Sequence, residues 1–186
     1  MINFKKYRNN LIQTFDQKDL ENHTEILFSE IKKTWKMKKN FFICGNGGSG
    51  ANAIHIANDF LYGAGITNKK GLKVDALTSN SAIITCLAND VGYDKVFSEQ
   101  IKVKGEKNDL LLVLSGSGNS KNIINVIKQA KKLKLRTFAI LGFDGGKCIK
   151  LADNFIHIKI NDMQISEDFQ MILLNIIMQE LSKIKI

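Results

Sequence analysis

The chain has 186 residues, of which 44% are hydrophobic and 24% charged, and its formal net charge is +9. This length can bury a substantial core, and no apolar run approaches the ~20 residues that a transmembrane helix needs. We therefore predict a single domain over residues 1–186, with no membrane association. It consists of a helical N-terminal arm (3–39) and an α/β core (40–186).

Charge and cysteine usage are typical of a cytoplasmic protein. The first residues, "MINFKKYRNNLIQTF", lack the apolar region of a signal peptide. Cysteines at 44, 86 and 148 have no CxxC spacing, which predicts reduced thiols. The many lysines predict solvated helix faces, with attraction of an anionic metabolite as the next interpretation. Nucleic-acid binding is not expected, because no nucleic-acid motif accompanies the charge.

Helices alternate with continuously apolar strands along the chain. Residues 3–39 are predicted to be helical, with a break near Asp16–Asn22, and "KNFFICG" is the first strand. A helix from Ser49 to about Tyr62 follows. Later strands are predicted in "GLKVDALTS", "NDLLLVLS", "RTFAILG" and "NFIHIKI", with helices between them. Strands of this kind predict a parallel sheet that helices cover on both faces, in a three-layer α/β fold.

The last predicted helix is "SEDFQMILLNIIMQELSKIKI", which begins at Ser166. It is apolar nearly all round, which in a domain of this size favours burial against a second subunit. Glu167 and Asp168 near its start have two interpretations. They are either chemical groups of a site or acids that complement the helix dipole, with Ser166 as the cap.

Two glycine–serine loops each follow a strand and precede a helix. They are Gly45–Ser49, "GNGGS", and Ser115–Ser120, "SGSGNS". Glycine permits close backbone approach, and the free N–H groups at a helix start favour an anion. The spacing matches neither a Walker A loop nor a dinucleotide fingerprint. Because ligands of open α/β sheets bind at the carboxyl ends of strands, the two loops predict a phosphate cradle there.

The helix after the first loop carries His55 and Asp59, which are four residues apart and so share one face. Such a pair can move a proton or bind a metal ion. The alternatives are a histidine satisfied by a hydrogen bond in the core and an acid that faces solvent.

Four segments together resemble the sugar isomerase (SIS) domain family, in its phosphoheptose isomerase branch. They are "CGNGGSGANAIHIANDF", "CLANDVGYDKVF", "LSGSGNSKNIINVIKQAKKLKLRTFAILGFDGGK" and the terminal "SEDFQ" helix, in order from about residue 40 to 180. The resemblance implies a flavodoxin- or Rossmann-like α-β-α fold with a five-stranded parallel sheet. It also implies dimers or tetramers with sites at subunit interfaces. The implied reaction converts sedoheptulose 7-phosphate to glycero-manno-heptose 7-phosphate for surface polysaccharide synthesis.

The same resemblance implies the substrate-binding residues. Positions that hold the sugar phosphate or line its pocket match Asn46, Gly47, Ser49, Ser115, Gly116, Ser117 and Ser120. Asn89 and Asp90 match positions near the sugar hydroxyls. Gly116 stands where the branch usually has threonine, which removes one hydroxyl and keeps the backbone cradle.

The catalytic residues that the resemblance implies are His55, Asp59 and Glu167. The branch usually has glutamate at Asp59, glutamine at Glu167 and a second histidine at Asn175. Asparagine cannot shuttle a proton, and its amide oxygen is a poor zinc ligand. We therefore assign no cofactor from the sequence. His55, Asp59 and Glu167 are the candidate ligands if a divalent metal such as zinc is bound.

Three functions remain open at this point. The first is an isomerase that acts on a sugar 7-phosphate. The second is a phosphosugar-binding sensor or assembly partner without catalysis, and the third is an enzyme with a rearranged base and another phosphosugar substrate. Asn175 is the feature that separates the first from the other two.

Overall fold

The computed structural model describes residues 2–66 and 70–185. No helix in those two ranges is long and apolar enough to cross a membrane. In chain order the helices and strands are α1 (Phe4–Phe15), α2 (Leu20–Lys36), β1 (Asn40–Gly45), α3 (Gly47–Leu61), β2 (Lys73–Ala76), α4 (Ser81–Asp90), α5 (Ser98–Lys104), β3 (Leu110–Ser115), α6 (Lys121–Lys132), β4 (Arg136–Leu141), β5 (Asn154–His157) and α7 (Met163–Lys183).

The five strands form one sheet in the order β2-β1-β3-β4-β5, and every neighbouring pair is parallel. The predicted three-layer α/β fold with a five-stranded parallel sheet is therefore confirmed. After β1 the chain forms β2 at one edge of β1. It then crosses to the other edge of β1 to form β3, β4 and β5. The strand order thus reverses between β1 and β3, which is where such sheets bind ligands.

Strand side chains alternate between two cores, one on each face of the sheet. Phe41 and Ile43 pack with residues of α2, α3 and α7, whereas Phe42 and Cys44 pack with residues of α5 and α6. Every residue of β3 is buried. Because both faces of β1, β3 and β4 are covered, these three strands are apolar along most of their length, whereas the edge strands β2 and β5 include polar, partly exposed residues.

The N-terminal arm packs against the core. Leu27 and Ile31 of α2 are fully buried against the sheet. The helix α1 is held to α7, where the Tyr7 hydroxyl donates a hydrogen bond of 2.5 Å to the Asp168 carboxylate. This hydrogen bond, with some burial and the negative charge of Asp168, raises the pKa of Tyr7 to about 12. Asp168 therefore anchors the arm, as a hydrogen-bond acceptor for Tyr7.

The helix α7 begins at Met163, three residues before the predicted start. Its cap is Asp162, whose carboxylate accepts a hydrogen bond of 3.1 Å from the N–H of Ile165. The interpretation of Ser166 as the cap is wrong, because Ser166 lies inside the first turn and donates to the Asp162 carbonyl at 2.7 Å. Much of the apolar surface of α7 is buried within the chain, through residues such as Leu174 and Ile177.

Asp153 links three elements near the start of β4. Its carboxylate accepts hydrogen bonds from the N–H of Thr137 at 3.0 Å and from the Thr137 hydroxyl at 2.8 Å. It also pairs with Lys131 Nζ at 2.8 Å. Burial raises the pKa of Asp153, but the hydrogen bonds from Lys131 and Thr137 outweigh burial and hold the pKa below its usual range.

We expect Asp153→Asn to lower the melting temperature at pH 7. Because the folded-state pKa is lowered, the carboxylate stabilises the fold above the unfolded-state pKa of about 3.9. This contribution is lost as the pH falls through the folded-state pKa. Thermal denaturation should therefore show a difference between wild type and variant that shrinks from about pH 7 to about pH 3. Asp19→Asn, at an exposed acid without a side-chain cap bond, is the control. A difference that does not change with pH would contradict this account.

Candidate functional site

The carboxyl ends of β1 and β3 bring the two glycine–serine loops together. The strands are direct neighbours, with Gly45 opposite Leu114. Each loop leads into a helix, α3 or α6, whose start faces the same cleft. The cleft has a volume of about 240 Å³ and is lined by Asn46, Gly47, Gly48, Ser49, Leu114, Ser115, Gly116, Ser117, Ser120, Met163 and Glu167.

The first wall is the start of α3, which begins at Gly47 rather than at Ser49. Gly47 has a φ of +54°, a left-handed conformation that glycine adopts without strain. Ser49 lies in the first turn and is 3% exposed. Its N–H donates to Glu167 Oε1 at 2.9 Å, and its hydroxyl donates to the same oxygen at 3.2 Å. Gln170 Nε2 donates to the Ser49 hydroxyl at 3.1 Å, so Ser49 is engaged with α7.

Gly48 lies against the carboxylate of Glu167. A Cβ atom at position 48 would lie 2.2 Å from Glu167 Oε2. The glycine therefore gives the carboxylate the space it occupies beside the first turn of α3.

Asn46 connects the first loop to the start of α6 through its side-chain amide. It donates to Asn122 Oδ1 at 2.9 Å, and Asn122 donates back to Asn46 Oδ1 at 2.8 Å. The hydroxyl of Tyr93 donates to the same Asn46 oxygen at 2.9 Å. Sequence reasoning missed Asn122 and Tyr93. For Asn122 a signal was present, because it lies four residues before Val126 in the inward-facing row of α6, where a polar residue needs a partner.

The second wall is the loop from Ser115 to Ser120. Ser115 shapes the loop, since its hydroxyl accepts a hydrogen bond of 3.1 Å from the N–H of Gly118. The Ser117 hydroxyl accepts from the N–H of Asn119 at 3.3 Å, which leaves its own hydrogen available for donation. Ser120 is the cap residue of α6 and makes no side-chain cap hydrogen bond. The hydroxyls of Ser117 and Ser120 can therefore donate to an anion at the start of α6.

The segment after β4 supports this second wall. The Cβ position at Gly118 lies 2.1 Å from the carbonyl oxygen of Gly145, so glycine is required for this close approach. The N–H of Lys147 donates to Asn119 Oδ1 at 3.1 Å. The "GGK" part of the resemblance thus has a structural basis as the backing of the loop.

Gly116 lies close to the side chain of Met163. A Cβ atom at Gly116 would lie 2.4 Å from Met163 Sδ. The thioether of Met163, which lines the cleft, occupies the space that a threonine at this position would use.

His55 and Asp59 share one face of α3, as predicted, and His55 Nε2 lies 3.3 Å from Asp59 Oδ2. The His55 side chain is 61% exposed and that of Asp59 is 23% exposed. Neither residue lines the cleft between the loops. The structure therefore divides the predicted site residues of α3 into two places, with Ser49 in the cleft and the His55–Asp59 pair further along the helix surface.

Asn89 and Asp90 lie at the end of α4 and are exposed. The Asn89 amide donates to Asp90 Oδ1 at 2.8 Å, so the two side chains contact each other. They do not belong to the lining of the cleft between the loops. A role near the sugar hydroxyls stays a prediction for these two residues.

The predicted metal ligands His55, Asp59 and Glu167 do not come together in one chain. Among residues 2–66 and 70–185, no group of three or more His, Cys, Asp or Glu side chains is arranged to hold a metal ion. Glu167 is hydrogen-bonded to Ser49. Asn175, at the position of the branch's second histidine, offers only an amide. His55, Asp59 and Glu167 are possible zinc ligands by type, but they do not converge on one point in the single chain, so they do not form the three- or four-ligand set that a zinc site requires.

Comparison with known proteins identifies the family. The SIS domain family matches residues 3–142. A phosphoheptose isomerase from Helicobacter pylori is 34% identical over 164 residues, covering 87% of this chain and 85% of the relative. One from Aliarcobacter butzleri is 40% identical over 146 residues, covering 78% of this chain and 75% of the relative.

Solved structures agree in fold. A phosphoheptose isomerase from Francisella tularensis superimposes with a TM-score of 0.89 at 22% identity, covering 97% of this chain and 95% of the other. One from Neisseria gonorrhoeae gives a TM-score of 0.88 at 25% identity, covering 97% of each chain. On the family match and the identity to these relatives, the chain belongs to the SIS domain family, in its phosphoheptose isomerase branch.

Proposed function

We propose that this chain is a phosphosugar aldose–ketose isomerase that converts sedoheptulose 7-phosphate to glycero-manno-heptose 7-phosphate, for surface polysaccharide synthesis. The observation that carries the proposal is a cleft between two glycine–serine loops in a chain 34% and 40% identical to phosphoheptose isomerases. A sensor or assembly partner without catalysis is not favoured, since these relatives are named as enzymes. The three unpaired thiols support action in the cytoplasm.

The phosphate group belongs at the second wall of the cleft. Ser117 and Ser120 supply hydroxyl donors there, and the start of α6 supplies free backbone N–H groups. At the first wall, the hydroxyl and N–H of Ser49 are occupied by Glu167 and Gln170. The loop from Ser115 to Ser120, called loop two below, therefore offers a phosphate more unused donors than the side chain of Ser49 does.

The length of the substrate supports a reaction beside His55 and Asp59. With C–C bonds near 1.5 Å, an extended seven-carbon chain reaches roughly 8–10 Å from the phosphorus to C1. Ser49 lines the same cleft as loop two, and from Ser49 to His55 the helix advances six residues, or roughly 9 Å along its axis. Because this rise is similar to the length of the substrate, it supports a phosphate in the cleft with C1 and C2 beside the face of α3 that carries the His55–Asp59 pair.

At that face the carboxylate of Asp59 is the proposed base. It removes a proton from C1 of the ketose, which gives an enediolate, and returns the proton to C2, while a second proton moves between the oxygens of C1 and C2. His55, 3.3 Å from Asp59, orients the carboxylate. The amide of Asn175 donates a hydrogen bond to the developing oxyanion, a role that needs no proton shuttle.

The position of Asn175 follows from the packing of α3 beside α7. Asn52 donates to Gln170 Oε1 at 3.1 Å, and further along, Gly63 lies beside the sulfur of Met178. The two helices therefore run alongside each other, with residue 52 beside residue 170 and residue 63 beside residue 178. Between these two contacts, Asp59 and Asn175 fall at about the same level along the helices.

A second subunit completes this part of the site. Proton transfer through an enediolate needs a site that excludes water, but the His55 side chain is 61% exposed in the single chain. Exposed apolar residues are also found on α3 and directly after it, with Ile54 45%, Leu61 56% and Tyr62 73% exposed. Exposed apolar surface of this kind is typical of subunit contacts, which supports a homodimer or homotetramer with the site at an interface.

We expect the purified protein to convert sedoheptulose 7-phosphate to the aldose and to incorporate deuterium at C2 in deuterated water. Asp59→Asn removes the base and should lower kcat on the order of 100-fold or more, with little change in the affinity for inorganic phosphate. Coupled turnover assays and NMR exchange measure the reaction, and calorimetry measures the binding.

The control is Asp19→Asn, at an exposed acid before α2. Phosphosugar binding by the wild type without turnover or exchange would contradict the isomerase. Full activity of Asp59→Asn would contradict only the choice of base.

The phosphate site is tested by Ser117→Ala. Losing a hydroxyl that bonds to a charged phosphate should weaken binding of sedoheptulose 7-phosphate on the order of tenfold. Ser29→Ala, at an exposed serine of α2, is the matched control. Equal affinity of Ser117→Ala and wild type in calorimetry would show that loop two does not hold the phosphate.

The subunit contact is tested by Leu61→Glu. A charge on this exposed apolar surface should dissociate the oligomer and lower kcat together, because the site loses its cover. Val103→Glu is the matched control, since Val103 is 86% exposed on α5, on the other face of the sheet. Sedimentation velocity and turnover are measured on both variants. A Leu61→Glu protein that dissociates and remains fully active would contradict a site at this interface.

A further inference from the structure

The carboxylate of Glu167 occupies the start of α3. Its Oε1 accepts the N–H of Ser49 at 2.9 Å and the Ser49 hydroxyl at 3.2 Å. A helix start has backbone N–H groups without partners inside the helix, and these are the donors that would bind a phosphate. Here one of the first-turn donors is already bonded to a negative charge from the same chain.

Several contacts hold Glu167 in this position. The Asn52 amide donates to the backbone carbonyl of Glu167 at 3.0 Å and to Gln170 Oε1 at 3.1 Å. Gln170, which is 1% exposed, in turn donates to the Ser49 hydroxyl. Gly48 leaves the space that the carboxylate fills. The arrangement is thus a closed network between α3 and α7.

The two walls of the cleft differ in charge for this reason. Glu167 lines the cleft together with Ser117 and Ser120. A phosphate cannot share the N–H of Ser49 with the carboxylate, and the two anions repel each other across a few ångströms of a partly buried site. The start of α6 has no acidic residue in its first turn and no side-chain cap.

We propose that Glu167 is a built-in anion that excludes phosphate from the start of α3 and directs it to Ser115–Ser120 at the start of α6. This rests on the proposed function, in that the cleft binds a phosphosugar. The acid thereby sets one orientation for the substrate, with its phosphate on the side of loop two.

The test is binding of inorganic phosphate to Glu167→Gln, measured by calorimetry. Removing the charge without changing the shape should tighten phosphate binding on the order of tenfold, because the repulsion is lost and a neutral amide oxygen competes less strongly than a carboxylate for the Ser49 N–H. In the Glu167→Gln variant, the hydroxyl of Ser49 is expected to contribute to phosphate binding. A double-mutant cycle should therefore show a larger loss of phosphate affinity from Ser49→Ala in Glu167→Gln than in wild type.

Asp168→Asn is the matched control, because it removes an equal charge one residue away, from a side chain that bonds to Tyr7 and does not line the cleft. Its phosphate affinity should equal that of the wild type. Phosphate binding that is unchanged or weaker in Glu167→Gln overturns the proposal and leaves the isomerase intact. No phosphate binding by any of these proteins overturns both the proposal and the phosphate cleft. The melting temperature with and without phosphate gives a second readout, with a larger shift expected for Glu167→Gln.

Discussion

The parallel pairing of β1 with β3 is the constraint on which the site depends. These strands are adjacent in the sheet although β2 lies between them in the chain, so the loops that follow them open at the same edge. The register places Gly45 opposite Leu114, which fixes the distance between the starts of α3 and α6. A cleft with two helix starts results from this topology, and the same topology puts the anion-binding donors of both helices in one place.

The contact between α3 and α7 then makes the two walls unequal. Ser49, Asn52, Glu167 and Gln170 form hydrogen bonds that satisfy polar groups at the helix contact. The hydroxyl of Ser49, which the resemblance assigns to phosphate binding, thus has a structural role in the single chain. In the proposed site the phosphate binds at loop two, and the chemistry takes place at His55 and Asp59, which lie roughly 9 Å along α3 from Ser49.

Much of the fold was predictable because its signals are local. The three central strands, which are buried on both faces, have apolar runs such as "LLLVL". The break between the first two helices, predicted near Asp16–Asn22, falls between Phe15 and Leu20. The start of α7 was predicted three residues late, because either Asp162 or Ser166 can cap a helix and only packing decides. The partners of Asn46 were missed, since Tyr93 and Asn122 are 47 and 76 residues away in the chain.

The sequence by itself determined the two glycine–serine loops, the shared face of His55 and Asp59, and the asparagine at position 175. These depend on the order of residues and on the period of a helix, which act over a few positions. Only the tertiary structure decided that Glu167 binds the start of α3, 118 residues away, and that His55 lies outside the cleft on the surface of the single chain. Such contacts depend on how α3 and α7 pack, and no local spacing encodes them. The tertiary structure therefore decides which of two chemically similar loops has donors left for a phosphate.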